Sequence, residues 1–106
     1  MDRMKVTSGS KYEPVIGFSR ALAAHDHVAV AATAPIMPDG AEPPEDAYRQ
    51  TRRCLEIIVD ALREAGATPA DVVRTRCYLT AVEDWEAVGR AHGEVFGEAR
   101  PASSMI

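Results

Sequence analysis

The chain has 106 residues with twelve basic and sixteen acidic side chains, so its net charge is −4. This length suits one domain spanning residues 1–106, and an apolar content of 46 % is ordinary for a globular protein. The acidic balance argues against broad nucleic-acid binding, which draws on clustered lysine and arginine. The sequence has no apolar run near the ~20 residues of a membrane span and no secretory-signal pattern. We therefore expect a cytoplasmic protein with neither nucleic-acid nor membrane partners.

The first third of the chain has the pattern of short strands. Residues 3–8 predict an edge strand, and residues 17–34 predict a hairpin, because valine alternates with alanine after the polar cluster at 25–27 (His-Asp-His). Two histidines and a carboxylate can bind zinc. However, side chains at alternate positions in a short turn point away from each other, and no further ligands are evident. We predict a turn there and no metal. Residues 35–44 contain four prolines and predict a loop.

The rest of the chain alternates helices with strands. Apolar residues recur at 3.6-residue spacing over 45–65, and a glycine follows directly, which predicts a helix with a left-handed stop. Residues 72–80 predict a strand. Thr80 and Glu83 fit a capping box that opens a second helix, and this helix ends near Phe96.

A last segment, residues 100–106, begins another strand. The predicted order is three strands, helix, strand, helix, strand, which makes the fold class α/β. The simplest arrangement packs both helices on one face of a single mixed sheet. The opposite face of that sheet must then contact another subunit unless it is polar enough to face solvent.

The strand over residues 72–80 has two different faces, because side chains alternate along a strand. One face presents Arg74, Arg76 and Tyr78. These residues form either the anion-binding wall of a cleft between subunits or a solvated, ion-paired interface. The other face, with Thr75 and Cys77, is expected to meet the helices.

Three further side chains have both a functional and a structural interpretation. Trp85 either lines the mouth of a cleft or anchors the second helix. Ser103 and Ser104 either bind a ligand or simply begin a strand. His92 is expected in the core or at an interface. The two cysteines are too few for a disulfide framework and are expected as small buried hydrophobes.

Six stretches of the sequence agree in order and spacing with one known family. They are Gly17–Ala21, Gln50–Leu55, Ala65–Ala67, Asp71–Arg76, Asp84–Val88 and Arg100–Ala102. Through them the chain resembles the YjgF/RidA family over essentially its whole length. The resemblance implies a chorismate-mutase-like fold, a mixed sheet with two helices on one face, and a homotrimer with clefts between subunits. Family members continue with a strand that carries a glutamate, so we expect the last strand of this domain to be truncated or outside the sequence.

RidA-type members of the family hydrolyse reactive enamines and imines to a 2-keto acid and ammonia. The resemblance implies an arginine, directly after a Pro-Ala pair, that grips the substrate carboxylate in two parallel hydrogen bonds. A polarised water then attacks the imine carbon while an acidic group helps to move the proton. In this chain Ser103 stands at the position of that arginine. No cofactor or metal is implied.

Other cleft positions also depart from the family pattern. Phe18 stands where the family has a tyrosine, and Ala31 and Ala32 stand where it has serine and glycine. Met105 replaces a small polar or thiol residue. Thr33, on the same strand as the two alanines, completes the ligand-binding candidates. The cleft is therefore expected to be less polar, with 2-iminopropanoate hydrolysis weak or lost, and no residue is assigned a catalytic role.

The sequence supports two functions of different classes and leaves open whether the protein is an enzyme. In the first, the trimer binds or hydrolyses a small enamine, imine or carbonyl metabolite, and any enzyme activity is that of a hydrolase or deaminase acting on C=N bonds. In the alternative, it is a non-catalytic small-molecule-binding or scaffold trimer. A ribonuclease is a remote third interpretation, because the chain is acidic and no histidine pair or His-Lys set suits acid–base cleavage.

Overall fold

The computed structural model describes residues 3–106. Within that range, the strands are four residues long each. They are β1 (Arg3–Val6), β2 (Ala21–Ala24), β3 (His27–Val30), β4 (Arg74–Cys77) and β5 (Ala102–Met105). The helices are α1 (Tyr12–Ile16), α2 (Ala47–Glu64) and α3 (Trp85–Phe96). The α/β fold class is confirmed.

The strands form two sheets instead of the single sheet predicted. Strands β1, β2 and β3 pair antiparallel in that order, with β1 at an edge as predicted, while β4 and β5 pair parallel. Within residues 3–106, β3 and β4 are not paired. Directly after β3, side chains bind backbone carbonyls that a neighbouring strand would use. Arg20 Nη2 donates to the Ala32 carbonyl at 2.8 Å, and Cys54 Sγ donates to the Thr33 carbonyl at 3.4 Å.

The predicted hairpin is confirmed, although its strands are shorter than residues 17–34. Ala24 lies opposite His27, so His25 and Asp26 form a two-residue turn. His25 has a φ of 56°, in the left-handed region that such tight turns require and that histidine enters more often than most residues. The turn and strand geometry therefore account for this cluster.

Helix α2 follows the prediction closely. Asp46 caps its N-terminus, where a side-chain carboxylate oxygen accepts a hydrogen bond from the Arg49 backbone N–H at 2.9 Å. Gly66 lies just beyond the C-terminus with a φ of 88°, the left-handed conformation that ends many helices. The buried residues Leu55 and Leu62 lie seven positions apart, on one face.

Helix α3 ends at Phe96 as predicted but begins later than the proposed capping box. A 3-10 turn at Val82–Asp84 precedes it, and no side chain caps its start. The Asp84 backbone N–H donates to the Ala81 carbonyl at 3.1 Å, so the backbone closes the turn that Thr80 was expected to cap. The capping-box prediction is therefore wrong.

The sequence prediction omits α1, a helix of five residues that is too short to show a periodic pattern. Its C-terminus is fixed by Gly17, which has a φ of 90° and donates its N–H to the Glu13 carbonyl at 2.8 Å. Helix α1 therefore sets the path of the chain into β2.

The core lies between the helices and the sheets. Val6, Ala21 and Ala61 bring β1, β2 and α2 into contact, and Val28 and Val30 of β3 pack against them. On α3, the buried residues are Val88, Ala91 and Phe96. The helices thus cover one side of the strands, as the sequence predicts.

Candidate functional site

The side of the β4–β5 pair that faces away from the helices presents a polar surface. We call Arg74, Arg76, Tyr78 and Ser104 the open-face group. Arg74 and Arg76 are exposed, and Tyr78 is 68 % exposed. Arg74 Nη2 donates to Ser104 Oγ at 2.8 Å. Two guanidinium groups, a phenol and a hydroxyl supply hydrogen-bond donors, so this group can bind an anion.

A second polar group lies on the opposite side of the same two strands. Thr75 Oγ1 is 2.8 Å from Ser103 Oγ and 2.8 Å from His92 Nε2 on α3. Burial lowers the pKa of His92, and its ring centroid lies 4.8 Å from that of Phe96. We call these three hydrogen-bonded residues the hydroxyl chain.

The two adjacent serines therefore belong to different surfaces. Ser103 contacts Thr75 on the helix side, whereas Ser104 contacts Arg74 on the open face. The register explains this, because Ser103 is paired with Thr75 and Ser104 with Arg76 in the parallel ladder. The sequence identifies both serines as ligand-binding candidates without assigning either to a face, and the structure brings only Ser104 into contact with Arg74.

Phe18 and Thr33 lie beside the three-stranded sheet. The Arg20 guanidinium carbon lies 5.8 Å from the centroid of the Phe18 ring, a distance suited to a cation–π contact. The Thr33 hydroxyl donates to the Ala31 carbonyl at 2.9 Å. Arg20, which the sequence analysis did not single out, is therefore the polar neighbour of Phe18.

Glu13 is a second residue that sequence reasoning missed, and it fixes the segment before Phe18. Its side chain is buried and accepts hydrogen bonds from both the backbone N–H and the hydroxyl of Ser8. These bonds lower the pKa of the carboxyl. The Glu13 carbonyl in turn accepts the Phe18 N–H at 3.0 Å. No pattern around Glu13 signals its burial.

Trp85 opens α3 and is 55 % exposed, which argues against the interpretation in which it anchors the second helix. The remaining interpretation, in which Trp85 lines the mouth of a cleft, stays a prediction.

The cysteines and the polar turn offer no reactive or metal-binding arrangement. Cys54 and Cys77 are free and half-buried, and burial raises the pKa of both thiols, so both stay protonated near neutral pH. His27 Nδ1 is 2.8 Å from Asp26 Oδ1, with both side chains largely exposed. Across residues 3–106 the structure has no group of three or more histidine, cysteine or acidic side chains placed to hold a metal ion.

A surface groove of about 460 Å³ lies between α2 and α3, lined by residues that include Arg52, Asp60 and Glu94. It contains none of the predicted site residues, and its lining mixes charges of both signs. We therefore centre the candidate site on the strands. Within residues 3–106, none of the helices has the length and apolar character to cross a membrane.

The comparisons with known proteins agree with this architecture, that of a small α/β domain with two helices over its strands and a polar strand surface. The sequence model of the family described as Endoribonuclease L-PSP matches residues 8–106. The chain belongs to this family, whose structures are also grouped as YjgF/YER057c/UK114.

Individual relatives support the same assignment. The crystal structure of Rv2704 from Mycobacterium tuberculosis, a member of the YjgF/YER057c/UK114 family, is 43 % identical with a TM-score of 0.89, covering 99 % of this chain and 83 % of that one. A RutC family protein of Pyrococcus abyssi is 35 % identical over 95 residues, covering 89 % of this chain and 75 % of the relative. The 3-aminoacrylate deaminase RutC of Acinetobacter baylyi is 39 % identical over 61 residues, covering 58 % of this chain and 48 % of the relative.

Proposed function

We propose that this chain is the subunit of a homotrimer whose intersubunit clefts bind a small metabolite with a carboxylate next to a C=N or C=O group. Family membership supports the substrate class, since a relative is a 3-aminoacrylate deaminase. Exposed apolar side chains on the single chain support self-association. Those more than 60 % exposed include Val15, Ile16, Ile36, Val73, Tyr78, Val82 and Ile106.

One observation carries the binding proposal. Arg74 Nη2 is held 2.8 Å from Ser104 Oγ on the side of β4 that the helices leave uncovered. The hydrogen bond orients the guanidinium, and Arg76 adds a second positive charge two residues along the same face. A carboxylate can accept two parallel hydrogen bonds from such a guanidinium. We propose Arg74 as the carboxylate anchor and Ser104 as its positioning partner.

The proposed reaction is hydrolysis of an imine or enamine, with a rate on 2-iminopropanoate below that of a RidA-type deaminase. Ser103 stands at the position of the family arginine, and Phe18 lacks the hydroxyl of the family tyrosine. Both departures remove polar contacts to a small 2-imino acid. A substrate with a larger apolar portion fits the less polar cleft better.

Calorimetric titration with pyruvate, the 2-keto acid product of 2-iminopropanoate hydrolysis, tests the anchor. We expect Arg74→Ala to weaken pyruvate binding roughly tenfold or more, because hydrogen bonds to a charged group contribute about 1.5–3 kcal/mol. Arg63→Ala, which removes an exposed arginine from the last turn of α2, is the matched control and should bind like wild type. Equal affinity in Arg74→Ala would remove this residue from the site.

A turnover assay separates the catalytic and non-catalytic functions. With 2-iminopropanoate generated in situ, we expect slow hydrolysis that saturates with substrate. A rate equal to that of a true deaminase would show that Ser103 does not impair the site. Pyruvate binding without turnover of any imine tested would favour the non-catalytic binding trimer.

Native mass spectrometry tests the assembly. We expect a species three times the subunit mass of 11.5 kDa. A single subunit at micromolar concentration would contradict the proposal. We expect no ribonuclease activity that survives repurification, since the chain is acidic. A cytoplasmic location remains our expectation for a chain with two free thiols.

A further inference from the structure

The hydroxyl chain connects helix α3 to the protein surface. His92 Nε2 lies 2.8 Å from Thr75 Oγ1, which lies 2.8 Å from Ser103 Oγ. His92 and Thr75 are half-buried, whereas Ser103 is exposed. The chain therefore runs from an imidazole under the strands to a hydroxyl that a ligand can reach.

The protonation state and the tautomer of His92 together constrain the direction of every hydrogen bond in this chain. Each hydroxyl has a single proton to donate, and a protonated imidazole donates from both nitrogens. When His92 is protonated, Thr75 must accept from it and donate to Ser103, which leaves the Ser103 proton free to point outward. The neutral ring with its proton on Nε2 gives the same directions, whereas the neutral ring with its proton on Nδ1 accepts at Nε2. We assign neutral His92 this second tautomer, in which Thr75 donates inward and Ser103 donates to Thr75. Ser103 then presents only acceptor lone pairs to a ligand.

We propose that Ser103 is the ligand-contacting end of a switchable hydroxyl chain, in which His92, acting through Thr75, decides whether Ser103 donates to or accepts from a bound small carboxylate. Ser103 is the binding residue, and His92 and Thr75 are positioning residues. Because Ser103 lies on the helix side of the strands and Arg74 on the open face, a carboxylate at Ser103 occupies a position separate from the Arg74 anchor. The ligand class rests on the proposed function, while the chain of hydrogen bonds does not.

The surroundings leave His92 free to respond to such a ligand. Burial is the cause of its lowered pKa, with no contribution from a charged side chain. The arginines of β4 project from the opposite side of the strand, and the phenyl ring of Phe96 covers the imidazole. Where α2 packs on α3, Tyr48 and Arg52 contact Glu94, two residues from His92. The thiols of Cys54 and Cys77 on α2 and β4 stay neutral near pH 7.

A carboxylate bound at Ser103 needs an outward donor and therefore favours protonated His92 over the neutral tautomer whose proton is on Nδ1. Ligand binding should raise the pKa of His92, and by reciprocity a protonated His92 should tighten binding. We expect NMR titration of the His92 ring in the whole chain to show pyruvate raising this pKa by about 0.5, with roughly threefold tighter pyruvate binding below the His92 pKa than above it.

Thr75→Val breaks the chain while keeping the shape of the side chain. Both effects of pyruvate on His92 should disappear in this variant. Thr51→Val is the matched control, because it removes another half-buried threonine hydroxyl, one that donates to the Ala47 carbonyl on α2. This control should keep the coupling. Ser103→Ala replaces Thr75→Val as the test if the latter does not fold.

The possible outcomes distinguish this proposal from the Arg74 anchor. If pyruvate binds wild-type protein and the His92 pKa does not move, the hydroxyl chain is not part of the site and the proposal is overturned. If the His92 pKa moves but Arg74→Ala binds pyruvate normally, the chain stands and the Arg74 anchor falls. Absence of any pyruvate binding overturns both the hydroxyl-chain proposal and the Arg74 anchor.

Discussion

The helix layer, formed by α2 and α3, and the strand layer, formed by the five strands, differ in how much of their apolar surface a single copy of the chain buries. Helices α2 and α3 bury their apolar faces and are joined by polar contacts as well. The Tyr48 hydroxyl donates to Glu94, and the Arg90 guanidinium carbon lies 4.2 Å from the Tyr48 ring centroid. The strand layer instead leaves Val73 80 % and Tyr78 68 % exposed.

Under the proposed function, the helix layer stabilises the subunit, and the strand layer supplies the surfaces for assembly and ligand binding. Changes in the helices should therefore lower the free energy of unfolding, whereas changes on the open face should alter assembly or binding while the subunit remains folded.

The largest expected effect is on assembly. Tyr78→Lys adds a third positive charge to the open face beside Arg74 and Arg76, and burying an unpaired charge in a subunit seam costs several kcal/mol. We expect native mass spectrometry and sedimentation to show single subunits, with helical circular dichroism retained. Glu64→Lys, which changes the net charge by more but lies at an exposed position of α2, should stay trimeric. A trimer of Tyr78→Lys would show that the open face is not in the seam.

The next largest effect is on the helix layer itself. Phe96 is 2 % exposed, and truncation of a buried phenylalanine to alanine costs about 3–5 kcal/mol. We expect this loss in the denaturant unfolding of Phe96→Ala, measured at one fixed protein concentration because assembly contributes to apparent stability. Glu64→Ala, at an exposed side chain in the last turn of α2, should change the unfolding free energy little. Equal losses in the two variants would contradict the assigned core.

A smaller effect is expected at the start of α2. Asp46→Ala removes the oxygen that accepts the Arg49 N–H, and loss of such a cap costs about 1 kcal/mol. Asp46→Asn keeps an acceptor at this position and should recover most of the loss in thermal unfolding. If asparagine and alanine destabilise equally, the charge of Asp46 matters more than its hydrogen bond.

The helices were predictable because their signals are local. The 3.6-residue pattern, the polar residues before α2 and the glycine after it all lie within one segment. The strands were predicted longer than they are, because alternation continues through residues 31–34 while side-chain hydrogen bonds occupy their carbonyls. Helix α1 was missed since its five residues carry no period.

The candidate site was predictable only in its residue types. The alternation of side chains along a strand correctly placed Arg74 and Thr75 on opposite faces of β4. It was not applied to Ser103 and Ser104, whose faces depend on the register of β5 with β4. The contact between Thr75 and His92 joins residues seventeen positions apart. It follows from how α3 crosses the strand pair, which no local pattern encodes.

The smallest expected effect concerns His92, which links the two layers. Because burial lowers its pKa below the ordinary value of 6.5, the unfolded chain binds this proton more readily than the folded one. The resulting stability is fully present above pH 6.5 and is lost as pH falls through the lowered pKa. The unfolding free energy should therefore decline on acidification from pH 7.5 in wild type and decline less in His92→Gln. His27→Gln, at a side chain that is 89 % exposed, should retain the wild-type slope. If His92→Gln also keeps that slope, other groups control the acid sensitivity, and burial does not hold His92 neutral.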